Sequence, residues 1–307
     1  MLVTGATGFI GRRVLSLLAA GRASVIHALS RRPLADGDAR WHEADLSDHE
    51  RVRRILAEVR PTHLLHLAWD TAHGSYYTSP DNVRWLADSL VLVDAFIRMG
   101  GRRLVGAGSA AEYDLTTGAD LSEATTALRP NGLYGECKKS LWEVCSRYAR
   151  QAGIGSAWGR IFFCYGPGED PSRTVPTLIR RLLRGDRVPF QEGLGYRDYV
   201  HVDDVAEAFA MLTTSDLNGA VNIGSGQAVR LRDLAARIAT EVGRPEALRF
   251  GEVPTPQYEP ARVVADVARV TSELGWRPRR SLAEGIRETV AWWRARDAAP
   301  VGTGRPA

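Results

Sequence analysis

The segment V-T-G-A-T-G-F-I-G at residues 3–11 constrains the fold more than any other part of the chain. It follows a short apolar strand and opens an amphipathic helix. Gly5 permits a tight turn, Gly8 lets a diphosphate approach the backbone, and Gly11 lets the helix pack closely. The free N–H groups of the helix start attract the phosphates. The segment predicts a dinucleotide site formed by Gly5, Thr7, Gly8, Phe9, Ile10 and Gly11.

Short apolar segments alternate with amphipathic ones through the first half of the chain. The pattern predicts strands at Leu2–Thr4, Ala23–Leu29, His63–Ala68, Arg103–Ala107 and Ser156–Phe163. It predicts helices at Phe9–Ala20, Asp48–Glu58, Asp81–Met99 and Tyr134–Gln151. Such alternation indicates parallel strands joined by right-handed crossovers. We therefore expect an α/β fold with a Rossmann-type doubly wound parallel sheet.

The pattern changes after Gly166, where prolines and glycines interrupt it. Helices are predicted again at Thr174–Leu183, Val202–Leu212, Leu231–Glu241 and Leu282–Arg294. A chain of 307 residues is long enough for two lobes. We expect a dinucleotide-binding domain at 1–165, to which 196–215 returns, and a smaller α/β C-terminal substrate lobe at 166–195 and 216–297. Residues 298–307 are Pro/Gly-rich and are expected to form a flexible tail.

Charge and composition exclude several classes of function. The net charge is +4, but the arginines are scattered and form no basic stripe, so nucleic-acid binding is not expected. No window approaches the ~18 consecutive apolar residues of a membrane span, and the N-terminus does not resemble a signal peptide. Cys137, Cys145 and Cys164 form no C-x-x-C pair, which indicates reduced thiols and no metal site. These features are typical of a cytoplasmic protein.

The second predicted strand ends with Ser30, followed by Arg31 and Arg32. An enzyme that uses NAD usually carries an acid at this place, where the acid binds both ribose hydroxyls. Serine does not repel a 2′-phosphate, and two guanidinium groups bind it well. The segment therefore favours NADP(H) as the cofactor. The alternative is NAD, with two arginines that only cover the surface.

Residues after the third and fourth predicted strands complete the cofactor site. Asp45 and Leu46 end the third strand, and Asp45 suits either an adenine contact or the N-cap of the next helix. Leu67 and Ala68 end the fourth strand, where their backbone is expected to line the nicotinamide ribose.

Tyr134 and Lys138 are four residues apart on a predicted helix, so they share a face. A lysine ammonium lowers the pKa of a neighbouring phenol, which then exchanges a proton while hydride moves. Ser109 ends the fifth predicted strand and suits a hydrogen bond to the substrate oxygen. Ser109, Tyr134 and Lys138 are the candidate catalytic set. The alternative for Tyr134 and Lys138 is an ordinary surface pair.

Eight motifs in order carry a family resemblance: TGATGFIG, HLA, GSAAEY, YGECK, GRIFFCYGPGE, YRDYVHVDDVA, NIGSG and ELGWRP. Over residues 1–295 the chain resembles the extended short-chain dehydrogenase/reductase family, the group of nucleotide-sugar epimerases, dehydratases and 4-ketoreductases. The resemblance implies a second lobe that binds a nucleoside-diphosphate sugar. It also implies a homodimer that pairs Asp81–Met99 with Tyr134–Gln151 as a four-helix bundle.

The same resemblance suggests where the substrate binds. Arg197 matches a family arginine that binds the diphosphate, although Asp198 offers it a structural salt bridge instead. The segment around Trp69, Tyr76 and Tyr77 resembles 4-ketoreductases of the abequose-synthase kind, and these rings either stack on the base or sugar or pack within the loop. The candidate substrate-binding residues are Trp69, Arg173, Arg197 and Arg262.

Three departures from the family pattern bear on the reaction. Ala110 and Ala111 replace the Asp-Glu pair of the dehydratases, and Glu112 lies one residue later in a segment expected to be extended, which disfavours dehydration. Phe163 replaces an asparagine that contacts the substrate phosphates in many relatives. A second diphosphate arginine near Pro256 is absent unless Arg262 replaces it.

The leading hypothesis is NADPH-dependent reduction of a 4-keto-6-deoxy nucleoside-diphosphate sugar. An epimerase reoxidises its own product and typically retains NAD, whereas a net reductase consumes NADPH, so Ser30, Arg31 and Arg32 favour reduction. The alternatives are an NAD-dependent nucleotide-sugar 4-epimerase, a reductase of another natural-product ketone, and a non-catalytic NADP(H)-sensing protein.

Overall fold

The computed structural model describes residues 1–21, 25–34, 39–72, 74–256 and 259–298. The strands are β1 (Leu2–Thr4), β2 (His27–Ser30), β3 (Arg40–Glu43), β4 (His63–His66), β5 (Arg103–Ser109), β6 (Gly155–Ile161), β7 (Phe163–Tyr165), β8 (Val188–Phe190), β9 (Tyr196–Arg197), β10 (Tyr199–His201), β11 (Gly219–Ile223), β12 (Val229–Arg230), β13 (Leu248–Phe250) and β14 (Arg262–Val263). The helices are α1 (Gly11–Ala20), α2 (His49–Val59), α3 (Asp81–Arg98), α4 (Leu133–Gln151), α5 (Thr174–Leu183), α6 (Val202–Thr214), α7 (Leu231–Val242), α8 (Ala268–Glu273) and α9 (Leu282–Ala298). Short 3-10 helices lie at Ala110–Glu112 and Pro245–Ala247.

Seven parallel strands form the central sheet in the order β11-β6-β5-β4-β1-β2-β3. The chain runs outward from β1 to β3 and then crosses to β4 on the other side of β1. This reversal opens a crevice at the carboxyl ends of β1 and β4, where doubly wound sheets bind their ligands. The predicted Rossmann-type fold is confirmed.

Apolar helices cover both faces of the sheet. Successive side chains of a strand point to opposite faces, so Leu2 packs with α2, α3 and α4 while Val3 packs with α1 and α6. Both residues are fully buried. The double cover explains why the strand reads as a continuous apolar run.

The second lobe is built around α5, α7 and α9, whose apolar faces share one buried cluster. The β8–β13 pair lies beside this cluster, and β12, β9 and β14 form a separate three-stranded sheet. None of the described helices is long and apolar enough to cross a membrane.

Two predicted boundaries differ from the structure. Strand β11 and the buried Val270 of α8 belong to the large sheet and its core, although the sequence assigns 216–297 to the second lobe. The predicted strand Ser156–Phe163 breaks at Phe162, whose N–H bonds to Ile223, while the N–H of Phe163 bonds to Asp198. The chain thus leaves the sheet and pairs β7 with β10.

Other predicted ends fall outside the described residues. The strand predicted from Ala23 begins within residues 22–24, which are not described, and β2 itself starts at His27. Of the predicted tail, Ala298 ends α9 and residues 299–307 are not described.

Candidate active site

The glycine turn after β1 is packed too tightly for larger residues. Gly5 has φ +67°, and a Cβ there would lie 2.7 Å from Leu67 C and Ala68 N. A Cβ on Gly11 would lie 2.1 Å from the Gly5 carbonyl oxygen. The glycine turn is therefore in close contact with two elements: the end of β4 at Gly5 and the start of α1 at Gly11. This cradle of backbone fits the diphosphate of a dinucleotide, with Thr7, Gly8, Phe9 and Ile10 in the same turn.

The end of β2 lies beside this turn, because Ser30 Oγ and Thr7 Oγ1 are 3.2 Å apart and hydrogen-bonded. Arg31 follows on the surface, with Nε 4.0 Å from Asp45 Oδ2. Asp45 lies two residues beyond β3 rather than at its end. Its Oδ1 accepts from Ser47 N at 2.9 Å, so the turn fixes this carboxylate.

A chain of hydrogen bonds fixes the end of β4. His66 Nδ1 is 2.7 Å from Thr4 Oγ1, and Nε2 is 2.9 Å from Ser89 Oγ. Thr4 Oγ1 accepts from the N–H of Ala68 at 3.4 Å. Burial, and secondarily the charge of Lys138, lowers the pKa of His66 to about 3. His66 is therefore neutral and holds Leu67 and Ala68 against the glycine turn.

Ser109 ends β5 and caps the 3-10 helix Ala110–Glu112. Its Oγ accepts from Ala111 N at 3.1 Å, while Glu112 Oε1 accepts from Ser109 N at 2.8 Å. This capping box turns the chain sharply, so the segment expected to be extended is helical.

Glu112 is completely buried beneath Ser109. Its carboxylate accepts from Trp158 Nε1 at 2.9 Å and from Arg160 Nε at 2.8 Å. Arg160 also donates to Tyr113 Oη at 3.0 Å. Glu112 thus belongs to a closed structural network and has no access to a substrate.

Tyr134 lies in the first turn of α4, which packs unusually close to the 3-10 helix. A Cβ on the neighbouring Gly135 would lie 2.3 Å from the Ala111 carbonyl oxygen. The close packing brings Tyr134 near enough to Ser109 for the serine side chain to lower the pKa of the phenol. Burial, and then Tyr76, raises the pKa of Tyr134, while Ser109 opposes the rise.

Lys138 is buried one turn further along α4. Its Nζ donates to the Ala107 carbonyl oxygen at 3.0 Å. Burial lowers the pKa of Lys138 to about 7, although Glu112 raises it. The expected lowering of the Tyr134 pKa by Lys138 is not observed, because Lys138 is not among the groups that shift this pKa, and burial of the phenol raises it. A protonated phenol is the form that donates a proton.

Three aromatic residues of the segment after β4 surround Tyr134. The ring centroids of Tyr76, Tyr77 and Trp69 lie 4.9, 5.7 and 6.4 Å from that of Tyr134, each nearly perpendicular to it. Arg173, at the start of α5, donates to Thr71 O at 2.8 Å and to Tyr76 Oη at 3.3 Å. Arg173 therefore connects the second lobe to the wall of the candidate catalytic set.

The other two candidate substrate arginines already have partners. Arg197 Nη2 is 3.0 Å from Glu259 Oε1, and Nη1 donates to the Pro260 carbonyl at 2.8 Å. The alternative salt bridge to Asp198 is wrong, because Asp198 accepts from the backbone of Ser225, Gly226 and Ala265. Arg262 Nη2 is 2.6 Å from Asp120.

Phe163, which replaces the family asparagine, packs against Tyr199 and Arg197. Its ring centroid lies 5.6 Å from that of Tyr199, and Arg197 Cζ lies 5.7 Å from the Phe163 ring. An apolar ring thus occupies the place of the expected polar contact.

One group among the described residues has metal-like spacing: His201, Asp203 and Glu288. Arg280 Nη2 lies 3.0 Å from Asp203, and Arg280 Nε lies 3.1 Å from Glu288. Arg13 Nε also binds Asp203 at 2.6 Å. Two guanidinium groups therefore neutralise the carboxylates that a metal ion would need.

Sequence reasoning missed Gly135 and the Thr4–His66–Ser89 chain, and it missed Asn82, whose Oδ1 accepts from Trp69 Nε1. The YG pair in YGECK offered a signal for Gly135, since a glycine early in a helix needs a packing reason. His66 bonds to Thr4 and Ser89, which are distant in sequence, so these contacts left no local signal.

Residues 1–224 match the family described as NAD dependent epimerase/dehydratase. The chain is 33% identical over 318 residues to dTDP-glucose 4,6-dehydratase of Streptomyces antibioticus, which covers 96% of this chain and 92% of the relative. The structure of UDP-glucose 4-epimerase of Thermus thermophilus in complex with NAD matches with a TM-score of 0.84 and 30% identity. The match covers 95% of this chain and 98% of the epimerase chain. The structure of UDP-glucose 4-epimerase of Thermotoga maritima with UDP-glucose matches with a TM-score of 0.85 and 26% identity, over 96% of this chain and 98% of the epimerase chain. The similarity extends over both lobes.

Proposed function

Because the chain belongs to the NAD-dependent epimerase/dehydratase family, we propose that it is an NADPH-dependent 4-ketoreductase. Its substrate would be a 4-keto-6-deoxy nucleoside-diphosphate sugar, and its product the corresponding alcohol. The relatives named above act on dTDP-glucose and UDP-glucose, which supports a nucleoside-diphosphate sugar in the second lobe.

The observation that carries the proposal is the contact between Ser30 and the glycine turn. Ser30 stands where an NAD enzyme carries its ribose-binding acid, and Arg31 and Arg32 follow it. Two guanidinium groups beside an uncharged serine suit a 2′-phosphate. NADPH is the cofactor that cells use for net reduction. An epimerase oxidises and then reduces the same sugar, so it consumes no reduced cofactor and has no need to prefer NADPH.

The residues of the site have separate roles in this proposal. The turn formed by Gly5, Gly8 and Gly11 would hold the dinucleotide, which would supply hydride to the carbonyl carbon when bound in its reduced form. Ser109 donates a hydrogen bond to the carbonyl oxygen, and the protonated phenol of Tyr134 delivers the proton. The Lys138 ammonium stabilises the phenolate that remains.

Dehydration is not part of the proposal. Ala110 and Ala111 carry no acid or base, and the carboxylate of Glu112 is enclosed by Ser109 N, Trp158 and Arg160. Removal of water from a sugar needs a side chain that protonates the leaving hydroxyl. None of these three residues reaches a substrate.

The second candidate is an NAD-retaining nucleotide-sugar 4-epimerase. It is favoured by the similarity to the Thermus thermophilus epimerase, which was solved with NAD. The same Ser109, Tyr134 and Lys138 would serve it, so the cofactor balance separates the two candidates.

The test is to mix the protein with NADPH and 4-keto-6-deoxy sugars linked to dTDP, UDP or GDP, and to follow absorbance at 340 nm. The proposal predicts stoichiometric loss of NADPH and one alcohol product. Interconversion of UDP-glucose and UDP-galactose without added cofactor would contradict the 4-ketoreductase proposal and support the epimerase. Tyr134→Phe is the control for catalysis by this site.

A further inference from the structure

Trp69 lies against Lys138 rather than in the open part of the cleft. Lys138 Nζ is 3.9 Å from the centroid of the Trp69 ring, which is within the range of a cation–π contact. Trp85 stacks near the same indole with centroids 6.2 Å apart. The sequence assigned Trp69 to the substrate, but the structure places its ring beside the catalytic lysine.

The Trp69 indole is fixed from its edge. Trp69 Nε1 donates to Asn82 Oδ1 at 2.9 Å. Asn82 is buried, and its Nδ2 donates to the carbonyls of Tyr76 at 2.6 Å and Ser79 at 2.9 Å. The hydrogen bond at Nε1 fixes the orientation of the indole, so the face of the ring is held in place for contact with Lys138.

The carboxylate of Glu112 also favours the charged form of Lys138, but its ion pair is with Arg160. His66 is neutral and Tyr134 is protonated, so neither adds a negative charge beside the ammonium. No ion pair of Lys138 occurs within the described part of the chain. One of its three N–H donors binds Ala107 O and the ammonium rests on the indole, which leaves a donor for the reaction site.

We propose that Trp69 is a positioning residue for Lys138: its indole face keeps the ammonium charged and directed toward Tyr134. This inference rests on the proposed catalytic role of Lys138. A desolvated ammonium with no carboxylate partner gains more from an aromatic face than an exposed one does. Replacing the indole therefore disfavours the charged form.

The composition of the chain makes the ammonium directly observable. Lys138 and Lys139 are the only lysines in the sequence. Lys139 pairs with Glu136 on the same helix, an interaction that Lys139→Arg preserves. In that background, lysine labelled with ¹³C and ¹⁵N gives a single side-chain signal, whose pH titration reports Lys138 alone.

The experiment compares Trp69→Leu, Trp69→Phe and Trp85→Phe in the Lys139→Arg background. The expected result is a fall in the Lys138 pKa of about one unit for Trp69→Leu, a smaller fall for Trp69→Phe, and little change for Trp85→Phe. An unchanged or raised Lys138 pKa in Trp69→Leu would overturn the proposal, because the indole would then act only by excluding water. Should Trp69→Leu fail to fold, Trp69→Phe carries the test, and an unchanged or raised Lys138 pKa in that variant would overturn the proposal equally.

This titration needs neither substrate nor cofactor, so it stands apart from the choice of reaction. If the protein proves to be an epimerase, the expected order of Lys138 pKa values is the same. With turnover, Trp69→Leu is expected to lower kcat and shift the pH profile by the same amount as the NMR titration, and a profile that does not move would contradict the positioning role.

Discussion

Two ionisable side chains of one helix are buried at the centre of this molecule. Tyr134 is kept protonated by its surroundings, and Lys138 has its pKa lowered to about 7. Burial of this kind disfavours charge, and it is typical of functional sites. The fold thus holds a proton donor and a lysine of altered basicity at a cost in stability.

Tyr134→Phe keeps the buried ring and removes only the hydroxyl. Because the phenol is the proposed proton donor, we expect turnover to fall by roughly 10²–10⁴ while cofactor affinity changes little. Steady-state kinetics and a cofactor titration check this, with Tyr148→Phe as a control on the outer part of the same helix. Turnover near that of the unaltered protein would exclude Tyr134 as the donor.

Lys138→Met is expected to stabilise the protein while abolishing turnover. The pKa of Lys138 is about 7 in the folded state and about 10.4 when unfolded. Between these values the unfolded chain holds a proton that the folded protein has lost, so the stability of the unaltered protein rises with pH. Below pH 7 the full cost of burying the charge is present.

We therefore expect Lys138→Met to be more stable by roughly 1–4 kcal/mol at pH 6.5, with a smaller gain at pH 9.5. Urea unfolding at both pH values measures the difference. Lys139→Met is the control, since its ammonium pairs with Glu136 near the surface. A Met variant less stable than the parent at pH 6.5 would contradict the account.

At the scale of the elements, the candidate catalytic set depends on how closely α4 approaches the 3-10 helix Ala110–Glu112. The capping box at Ser109 turns the chain beneath α4, and Gly135 leaves room for the Ala111 carbonyl. These two features place Ser109 beside Tyr134.

Gly135→Ala tests this packing. Alanine normally stabilises a helix relative to glycine by about 1 kcal/mol. Here its Cβ would lie 2.3 Å from the Ala111 carbonyl oxygen, so we expect a loss of about 1–3 kcal/mol and a fall in turnover. Gly132→Ala is the matched control, because its Cβ would meet Tyr77 O at an ordinary 3.5 Å. Thermal unfolding compares the stability of the two variants. A Gly135→Ala protein more stable than the unaltered protein would contradict the proposed close packing of α4 on the 3-10 helix.

The elements also indicate how far sequence reasoning reaches. Gly5, Gly8 and Gly11, and the spacing of Tyr134 and Lys138, are local patterns, so the sequence predicted where they lie. The exit of Phe163 from the sheet and the enclosure of Glu112 by Arg160 depend on distant partners. Trp69 was recognised as a site residue, but its contact with Lys138 depends on how the segment after β4 packs against α4.

At the scale of the whole molecule, two arginines of the second lobe contact residues of the first lobe. Arg173 of the second lobe binds Thr71 and Tyr76, and Arg280 joins α9 to Asp203 of α6. These contacts hold the second lobe against the lobe that carries the large sheet. The outer faces of α3 and α4 remain open, with Val83 and Val144 about half exposed.

We propose that these faces pair in a homodimer, as the family resemblance implies. Light scattering is expected to give about twice the monomer mass of 33.6 kDa. Val144→Glu places a charge on the outer face of α4 and is expected to shift the mass toward that of the monomer. A monomer for the unaltered protein at micromolar concentration would refute the pairing.

A preference for NADPH over NADH separates the reductase from the epimerase, and titration with both cofactors measures it. The dissociation constants are compared for the unaltered protein and for the variant carrying both Arg31→Ala and Arg32→Ala. We predict that NADPH binds at least about tenfold tighter, or ~1.4 kcal/mol, and that the double variant loses this preference. Equal affinity for NADH, or purified protein that already carries NAD which does not exchange, would contradict the reductase and favour the epimerase.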